Sequence, residues 1–261
     1  MNVADLLLHE RQSLILKRLQ GEGRVIAAAL AQELAISEDT IRRDLREMAA
    51  AGLCRRVYGG ALPVMTDDSS LTERLQLKPE RKHAMARAAV PLFEPGMTLF
   101  IDAGSTNLAI AQAIPPGLKL TVITNSPMVA AALLDRREID VIVLGGKLDH
   151  RTGAVLGAKA MADASNFHPD ICVLGSCGFE AATGISAQDF DEAEFKRFIA
   201  LRSRSVLAAV TNEKLGAAAP FEVVPIGKRD HVVLEHDAEA GYISDLTRTG
   251  VNVIVAHPTP S

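Results

Sequence analysis

A chain of 261 residues with 48% hydrophobic and 23% charged residues is an ordinary globular sequence, long enough for a small module plus one large domain. Three scattered cysteines (Cys54, Cys172, Cys177) and seven scattered histidines argue against a disulfide framework and a metal site, so no metal and no cofactor are expected. No apolar run reaches the length of a membrane span and the start lacks the basic region of a signal peptide, which predicts a cytoplasmic protein with no membrane partner.

Charge is uneven along the chain. Residues 1–65 carry nine Lys/Arg against eight Asp/Glu, and the remainder is net −5. A DNA-binding end followed by an acidic effector domain has this distribution.

Taken in order, Arg11 to Leu19 places Leu14, Ile15 and Leu19 at helical spacing, and Gly21-Glu-Gly23 predicts a break. Val25 to Leu34 predicts a second short helix, with Ala35-Ile36 as a tight turn. Ser37-Glu-Asp-Thr-Ile-Arg-Arg-Asp-Leu-Arg-Glu-Met-Ala-Ala-Ala-Gly52 then predicts a well-delimited helix. Ser37 is a good N-cap, Glu38 and Asp39 favour the positive end of the helix dipole, and Gly52 is a natural stop. Ile41, Leu45 and Met48 form the apolar stripe, which leaves Arg42, Arg43 and Arg46 on the other side for phosphate and guanine contacts. Leu53 to Ala61 predicts a small β wing turning at Gly59-Gly60, with Arg55 and Arg56 on it. Residues 42–56 hold five arginines against Asp44 and Glu47, a local net charge of +3. Helix, helix, turn and arginine-bearing helix make a helix-turn-helix, and the basic patch is its expected electrostatic footprint.

Pro63 to Ser70 is polar and predicts a linker. Leu71 to Phe93 is mostly helical with a break at Pro79. From Met97 onward, short apolar runs at Thr98–Asp102, Leu120–Thr124, Ile139–Leu144, Ile171–Leu174, Ser205–Val210, His231–Leu234 and Val251–Val255 predict strands. Helical stretches near 109–114, 126–134, 158–166, 190–202 and 239–249 separate most of them. Buried strands alternating with helices predict an α/β domain with a largely parallel sheet.

In such sheets ligands bind beyond the carboxyl ends of the strands. The turns there read Asp102-Ala-Gly104-Ser105-Thr106, Thr124-Asn125-Ser126, Gly145-Gly146-Lys147 and Thr211-Asn-Glu-Lys214. Together they predict a rim of hydroxyls, backbone N–H groups and two lysines, suited to a small phosphorylated sugar or polyol.

Two sets of residues resemble one family. Ser37, Thr40-Ile-Arg-Arg-Asp-Leu45 and Arg56-Val-Tyr-Gly-Gly-Ala61 resemble the recognition helix and wing of the DeoR family of bacterial transcription regulators. Asp102-Ala-Gly-Ser-Thr106, Thr124-Asn-Ser126, Gly145-Gly146, Gly175-Ser-Cys-Gly178 and Glu192-Ala-Glu-Phe-Lys196 resemble, in order and approximate spacing, that family's C-terminal domain. The surroundings of Phe190 and Arg197 resemble most the glycerol-3-phosphate-responsive branch. The resemblance implies a Rossmann-like, ribose-5-phosphate-isomerase-like sensor domain. It implies DNA contacts from Ser37, Thr40, Arg42, Arg43, Arg46, Arg55 and Arg56. It also implies effector contacts from Asp102, Gly104, Ser105, Thr106, Thr124, Asn125, Ser126, Gly145, Gly146, Lys147, Gly175, Glu192 and Lys214. The family's Asp-x-Ser-Lys turn is replaced by Thr211-Asn-Glu-Lys214, where Glu213 could neutralise Lys214 by pairing. Arg74 and Lys82 match family positions near the linker, and Arg74 reads as plain surface charge.

The expected organisation is a winged helix-turn-helix over 1–62, a linker over 63–78 and an effector domain over 79–261. The expected partners are double-stranded operator DNA and a phosphorylated sugar or polyol. Paired half-sites imply a dimer or tetramer. The rival is a sugar-phosphate isomerase-like enzyme with Glu192 and Lys214 as an acid–base pair. Gly175-Ser-Cys-Gly178 lacks the carboxylate that such a loop needs, Cys177 reads as a small buried cysteine, and His83, His150 and His168 read as surface residues. A regulator, and no enzyme, is expected.

Overall fold

The computed structural model describes residues 8–22, 25–51, 53–57, 59–63 and 70–257. The chain divides into two compact units between residues 66 and 67.

The first unit holds α1 (Leu8–Glu22), β1 (Val25–Ile26), α2 (Ala27–Leu34), α3 (Glu38–Ala50), β2 (Cys54–Val57) and β3 (Gly60–Pro63). α1 continues through Gly21, and Gly23 and Gly52 lie outside the described residues. α3 begins where the cap places it, for Ser37 Oγ accepts from Thr40 N at 3.1 Å. Its buried stripe is Ile41, Asp44, Leu45 and Met48, packed with Ile15, Leu19, Leu30 and Leu34. The stretch expected as helix from Val25 starts two residues later, because Val25 and Ile26 pair with Ala61 and Gly60 of β3. Gly60 permits that approach, since a Cβ there would fall 1.9 Å from Val25 O.

The second unit opens with α4 (Leu71–Gln76) and α5 (Pro79–Ala89), separated at Pro79, which starts the second helix. Residues 64–69, the middle of the expected linker, lie outside the described residues. There follow β4 (Thr98–Ile101), α6 (Ser105–Ala113), β5 (Leu120–Thr124), α7 (Pro127–Ala132), β6 (Ile139–Val143), β7 (Lys147–Asp149), β8 (Ala154–Leu156), α8 (Ala158–Ala164) and β9 (Ile171–Leu174). The remainder is β10 (Gly178–Glu180), β11 (Gly184–Ala187), α9 (Phe190–Arg202), β12 (Ser205–Val210), β13 (Phe221–Val224), β14 (His231–Leu234), α10 (Ala240–Thr249) and β15 (Asn252–Val255).

Seven strands form one parallel sheet in the order β15-β14-β12-β9-β4-β5-β6. β10, β11 and β13 form a small antiparallel sheet, and β7 pairs with β8; neither was expected from the apolar runs. Alternation along the strands fills both faces. Leu99, Ile101, Val173 and Leu207 pack with Met85, Ile110 and Val129 on one side. Phe100, Leu174 and Val206 pack with Phe195, Ile199 and Leu246 on the other. The chain leaves β4 towards β5 and β6, then returns to the opposite side through β9, β12, β14 and β15. The order therefore reverses between β4 and β9, and the crevice expected in open α/β sheets lies there.

Candidate functional site

Two surfaces carry the predicted residues, one on each unit. On α3, Arg42, Arg43 and Arg46 are exposed, on the side away from the buried stripe. Arg42 Nε and Nη2 donate to Glu38 Oε1 at 3.0 and 2.7 Å. Ser37 and Thr40 share a hydroxyl hydrogen bond of 2.8 Å at the start of the helix. Arg56 is exposed on β2; the side chain of Arg55 lies outside the described residues. Asp44 is buried on the packed stripe, where Arg11 Nε and Nη2 meet its two oxygens at 2.7 and 3.1 Å. Its position on the stripe of Ile41, Leu45 and Met48 is visible in the sequence and was the available signal.

The second surface is a pocket at the β4–β9 crevice. Asp102 follows β4 and Gly175 follows β9. Gly175 N donates to Asp102 Oδ2 at 3.1 Å, and a Cβ at Gly175 would come within 2.9 Å of Ala103 O. Glycine is thus what lets the two strand ends close on each other. Gly104 adopts a φ of +145°, turning the chain into α6 so that Gly104, Ser105 and Thr106 present the helix N-terminus to the pocket. Arg74, Arg151, Glu192, Lys196 and Lys214 complete the charged lining.

At the centre stands Lys196, buried and donating from Nζ to Gly175 O at 2.8 Å. The same Nζ lies 2.5 Å from Glu192 Oε1 and 3.3 Å from Asp102 Oδ2. Burial disfavours its charge, but the two carboxylates outweigh that and hold it well above the ordinary lysine range. Burial pushes the Asp102 carboxyl up, against the pull of Lys196. For Glu192 burial acts the same way, yet the Lys196 charge prevails and its carboxyl sits below the usual range. Glu192 Oε2 is buried without a hydrogen-bond partner and has the Arg151 guanidinium at 3.6 Å. Four cations face two carboxylates, so the lining carries a net positive charge.

Of the predicted effector residues, the pocket gathers Asp102, Gly104, Ser105, Thr106, Gly175, Glu192 and Lys214. It does not gather the others. Thr124 Oγ1 donates to Ile101 O at 2.6 Å and Ser126 Oγ caps α7 by accepting from Val129 N. Asn125 Nδ2 donates to Asp102 Oδ1 at 3.1 Å, and its own Oδ1 accepts from Ala103 N. These three side chains are buried and brace the floor. Gly145 and Gly146 follow β6, the edge strand, where Gly145 N donates to Asp163 Oδ2; Lys147 is exposed on β7. Asp102 itself spends both oxygens on Asn125, Gly175 and Lys196.

Glu213 does not pair with Lys214. Its Oε2 lies 3.4 Å from Lys78 Nζ, while Lys214 Nζ donates to Ser176 O at 2.6 Å. Nor is Arg74 plain surface charge: it is half-buried and donates to Arg151 O and Thr152 O at 3.2 and 3.5 Å. Lys82 is buried and donates to Arg74 O, with burial lowering its pKa. Lys196 is absent from the predicted set although its i, i+4 spacing from Glu192 is visible in the sequence. Arg151 carried no signal, since it sits in the turn of an unforeseen hairpin. Cys177 is buried, and His83, His150 and His168 are exposed, as read.

A helix-turn-helix with an exposed arginine face, followed by a parallel α/β domain with a cation-lined pocket, defines a DNA-binding transcriptional regulator. Residues 11–66 match the DeoR-like helix-turn-helix domain and residues 77–236 the DeoR C terminal sensor domain, and the chain belongs to the DeoR family. It is 30% identical over 239 residues to the glycerol-3-phosphate regulon repressor of Escherichia coli strain K12, covering 91% of this chain and 95% of that one. It is 28% identical over 248 residues to the HTH-type transcriptional repressor GlcR of Bacillus subtilis strain 168, covering 94% and 95%. Among solved structures, ribose 5-phosphate isomerase A from Methanocaldococcus jannaschii aligns at 17% identity over 52% of this chain and 54% of that one; its TM-score of 0.39 is too low to bear on the chemistry of the pocket. Among the described residues no helix is long and apolar enough to cross a membrane.

Proposed function

We propose that the protein is a cytoplasmic repressor of a sugar or polyol catabolic operon, that it reads operator DNA as a homo-oligomer, and that a small phosphorylated sugar or polyol in the β4–β9 pocket controls it. In this reading residues 1–62 are the DNA-binding domain and 79–261 the effector domain, and the connecting segment 63–78 includes α4, which packs on the effector domain. The observation that carries the ligand class is the pocket's charge together with Glu192 Oε2, a buried acceptor with no hydrogen-bond donor. A phosphate suits the N–H groups at the start of α6 with Arg74, Arg151 and Lys214 around it. A hydroxyl carried on a carbon of the same molecule would reach Glu192 Oε2 while the phosphate oxygens face the cations. The names of the relatives, one a glycerol-3-phosphate regulon repressor, support the same class.

The isomerase reading has less support. Glu192 is held ionised against Lys196, and Lys214 is engaged with Ser176 O, so the expected acid–base pair is not assembled.

Thermal unfolding with sn-glycerol 3-phosphate, ribose 5-phosphate, glucose 6-phosphate and inorganic phosphate tests the proposal. A ligand at 100 times its Kd stabilises by about 2.7 kcal/mol. A phosphate ester should shift the midpoint more than inorganic phosphate at equal concentration, and the same ester should change operator affinity. No response to any of the four would sink the proposal, and conversion of ribose 5-phosphate followed by NMR would restore the enzyme.

A further inference from the structure

The pocket shares a residue with the chain segment that leads to the DNA-reading unit. α4 is the first element after β3. It is a built piece of the second unit. Ser70 Oγ accepts from Glu73 N at 3.3 Å while Glu73 Oε2 accepts from Ser70 N at 2.7 Å, a reciprocal cap. Leu71 N donates to Arg151 O at 3.1 Å. The buried Leu71 side chain lies on Gly153, where an added Cβ would fall 2.2 Å from Leu71 Cδ2. Arg74 holds the carbonyls of Arg151 and Thr152, and Lys82 of α5 holds the Arg74 carbonyl. The 149–153 turn is itself closed by Thr152 N and Oγ1, which donate to Asp149 Oδ1 at 2.8 and 2.7 Å. α4 is therefore stapled to a rigid turn, and both contribute to the pocket wall: Arg74 from the helix, Arg151 and Thr152 from the turn.

Resting on the phosphorylated-ligand reading above, we infer that α4 is the element through which occupancy of the pocket reaches the DNA-reading unit. An anion seated among Arg74, Arg151 and Lys214 attracts the guanidinium that already ties α4 to the turn. The occupied pocket holds α4 more firmly than the empty one. By linkage, a change that loosens α4 reduces what the anion can transmit. Leu71 and Lys82 fasten α4 without lining the pocket, so they separate transmission from binding.

The test uses the full chain and sn-glycerol 3-phosphate, with inorganic phosphate as control. Binding is followed by thermal shift, α4 by hydrogen exchange of the peptide covering 70–77, and output by operator affinity with and without the ester. In wild type the ester should slow exchange in that peptide about 10-fold and change operator affinity by a factor in the range of about 5 to 150. Leu71→Ala should still bind the ester, weaker by no more than the about 10-fold by which the ester steadies α4, and lose at least about nine-tenths of the operator response. Lys82→Met should do the same, and it stands in if Leu71→Ala fails to fold. If both variants bind the ester and still respond as wild type does, or if exchange in 70–77 ignores the ester, transmission through α4 is wrong. If wild type binds neither compound, the ligand reading falls first and this inference with it; the thermal-shift arm tells the two failures apart.

Discussion

Lys196 Nζ stands 2.5 Å from Glu192 Oε1, one turn apart on α9, with both side chains buried. The pair makes the pocket an electrostatic device with a fixed interior. Lys196 neutralises carboxylates that would otherwise repel an anion, and Arg74, Arg151 and Lys214 give the lining its net positive charge.

Removing that lysine should damage the fold before it damages binding. Lys196→Met takes from the buried Asp102 and Glu192 their nearest cation, leaving Glu192 with Arg151 at 3.6 Å, and breaking a buried pair this way costs about 3–5 kcal/mol. Urea unfolding of the sensor domain in the full chain measures the loss. A change under about 1 kcal/mol would mean that water already screens the cluster.

Acid should act on the same cluster with a definite sign. Glu192 is held below its ordinary range, so its contribution to stability is present above the unfolded glutamate value of about 4.3 and is lost as pH falls through the lower folded value. Asp102 has the opposite sign, because burial raises it and its protonation relieves a cost. Glu192→Gln removes the first contribution and takes a repelling charge from beside Asp102. Wild type should therefore lose more stability than Glu192→Gln between about pH 6 and pH 3, read as unfolding midpoints across that window. Parallel profiles would contradict the assignment.

Ligand response should depend on Lys214 and not on its neighbour. Lys214→Ala and Thr106→Val remove a charge-assisted or hydroxyl contact at the pocket, and each should weaken binding of a phosphate ester by roughly one to two decades. Glu213→Ala should leave it within about 3-fold, since Glu213 pairs with Lys78. Calorimetric titration distinguishes them, with equal losses at Lys214 and Glu213 as the result that refutes the geometry.

On the DNA side, Arg43→Ala should lower affinity for the specific operator by about 1–3 kcal/mol and relax its sequence preference, as a lost base contact does. Arg56→Ala should weaken all duplex DNA alike and flatten the salt dependence, as a lost phosphate contact does. Mobility shifts at two salt concentrations, on operator and unrelated duplex, separate these outcomes.

Arg11→Ala should unfold the first unit more readily while leaving the α3 arginines in place. It strands Asp44, which is 2% exposed, at a cost of about 1–3 kcal/mol for an unsatisfied buried group. Thermal unfolding and operator binding below the midpoint should disagree: stability falls, and affinity at low temperature holds.

What the sequence determined by itself is everything set within a few residues. The cap at Ser37 and the stripe of Ile41, Leu45 and Met48 delimit α3 because caps and i, i+4 contacts are local. The span of α9 over 190–202 and the apolar runs of the seven strands are legible for the same reason. The composition of the strand-end turns is legible too, but their worth is not. Thr124-Asn-Ser126 and Gly145-Gly-Lys147 have the same chemistry on paper as Asp102 to Thr106. Only the strand order put the crevice between β4 and β9, buried the first of them under Asp102 and sent the second to the sheet edge. Tertiary structure likewise decided that Glu213 answers Lys78, that Asp44 answers Arg11, and that Arg74 reaches the pocket from α4. Each of these joins residues far apart in the chain. Such pairings depend on which hydrophobic faces bury one another, and no local period or cap records that choice.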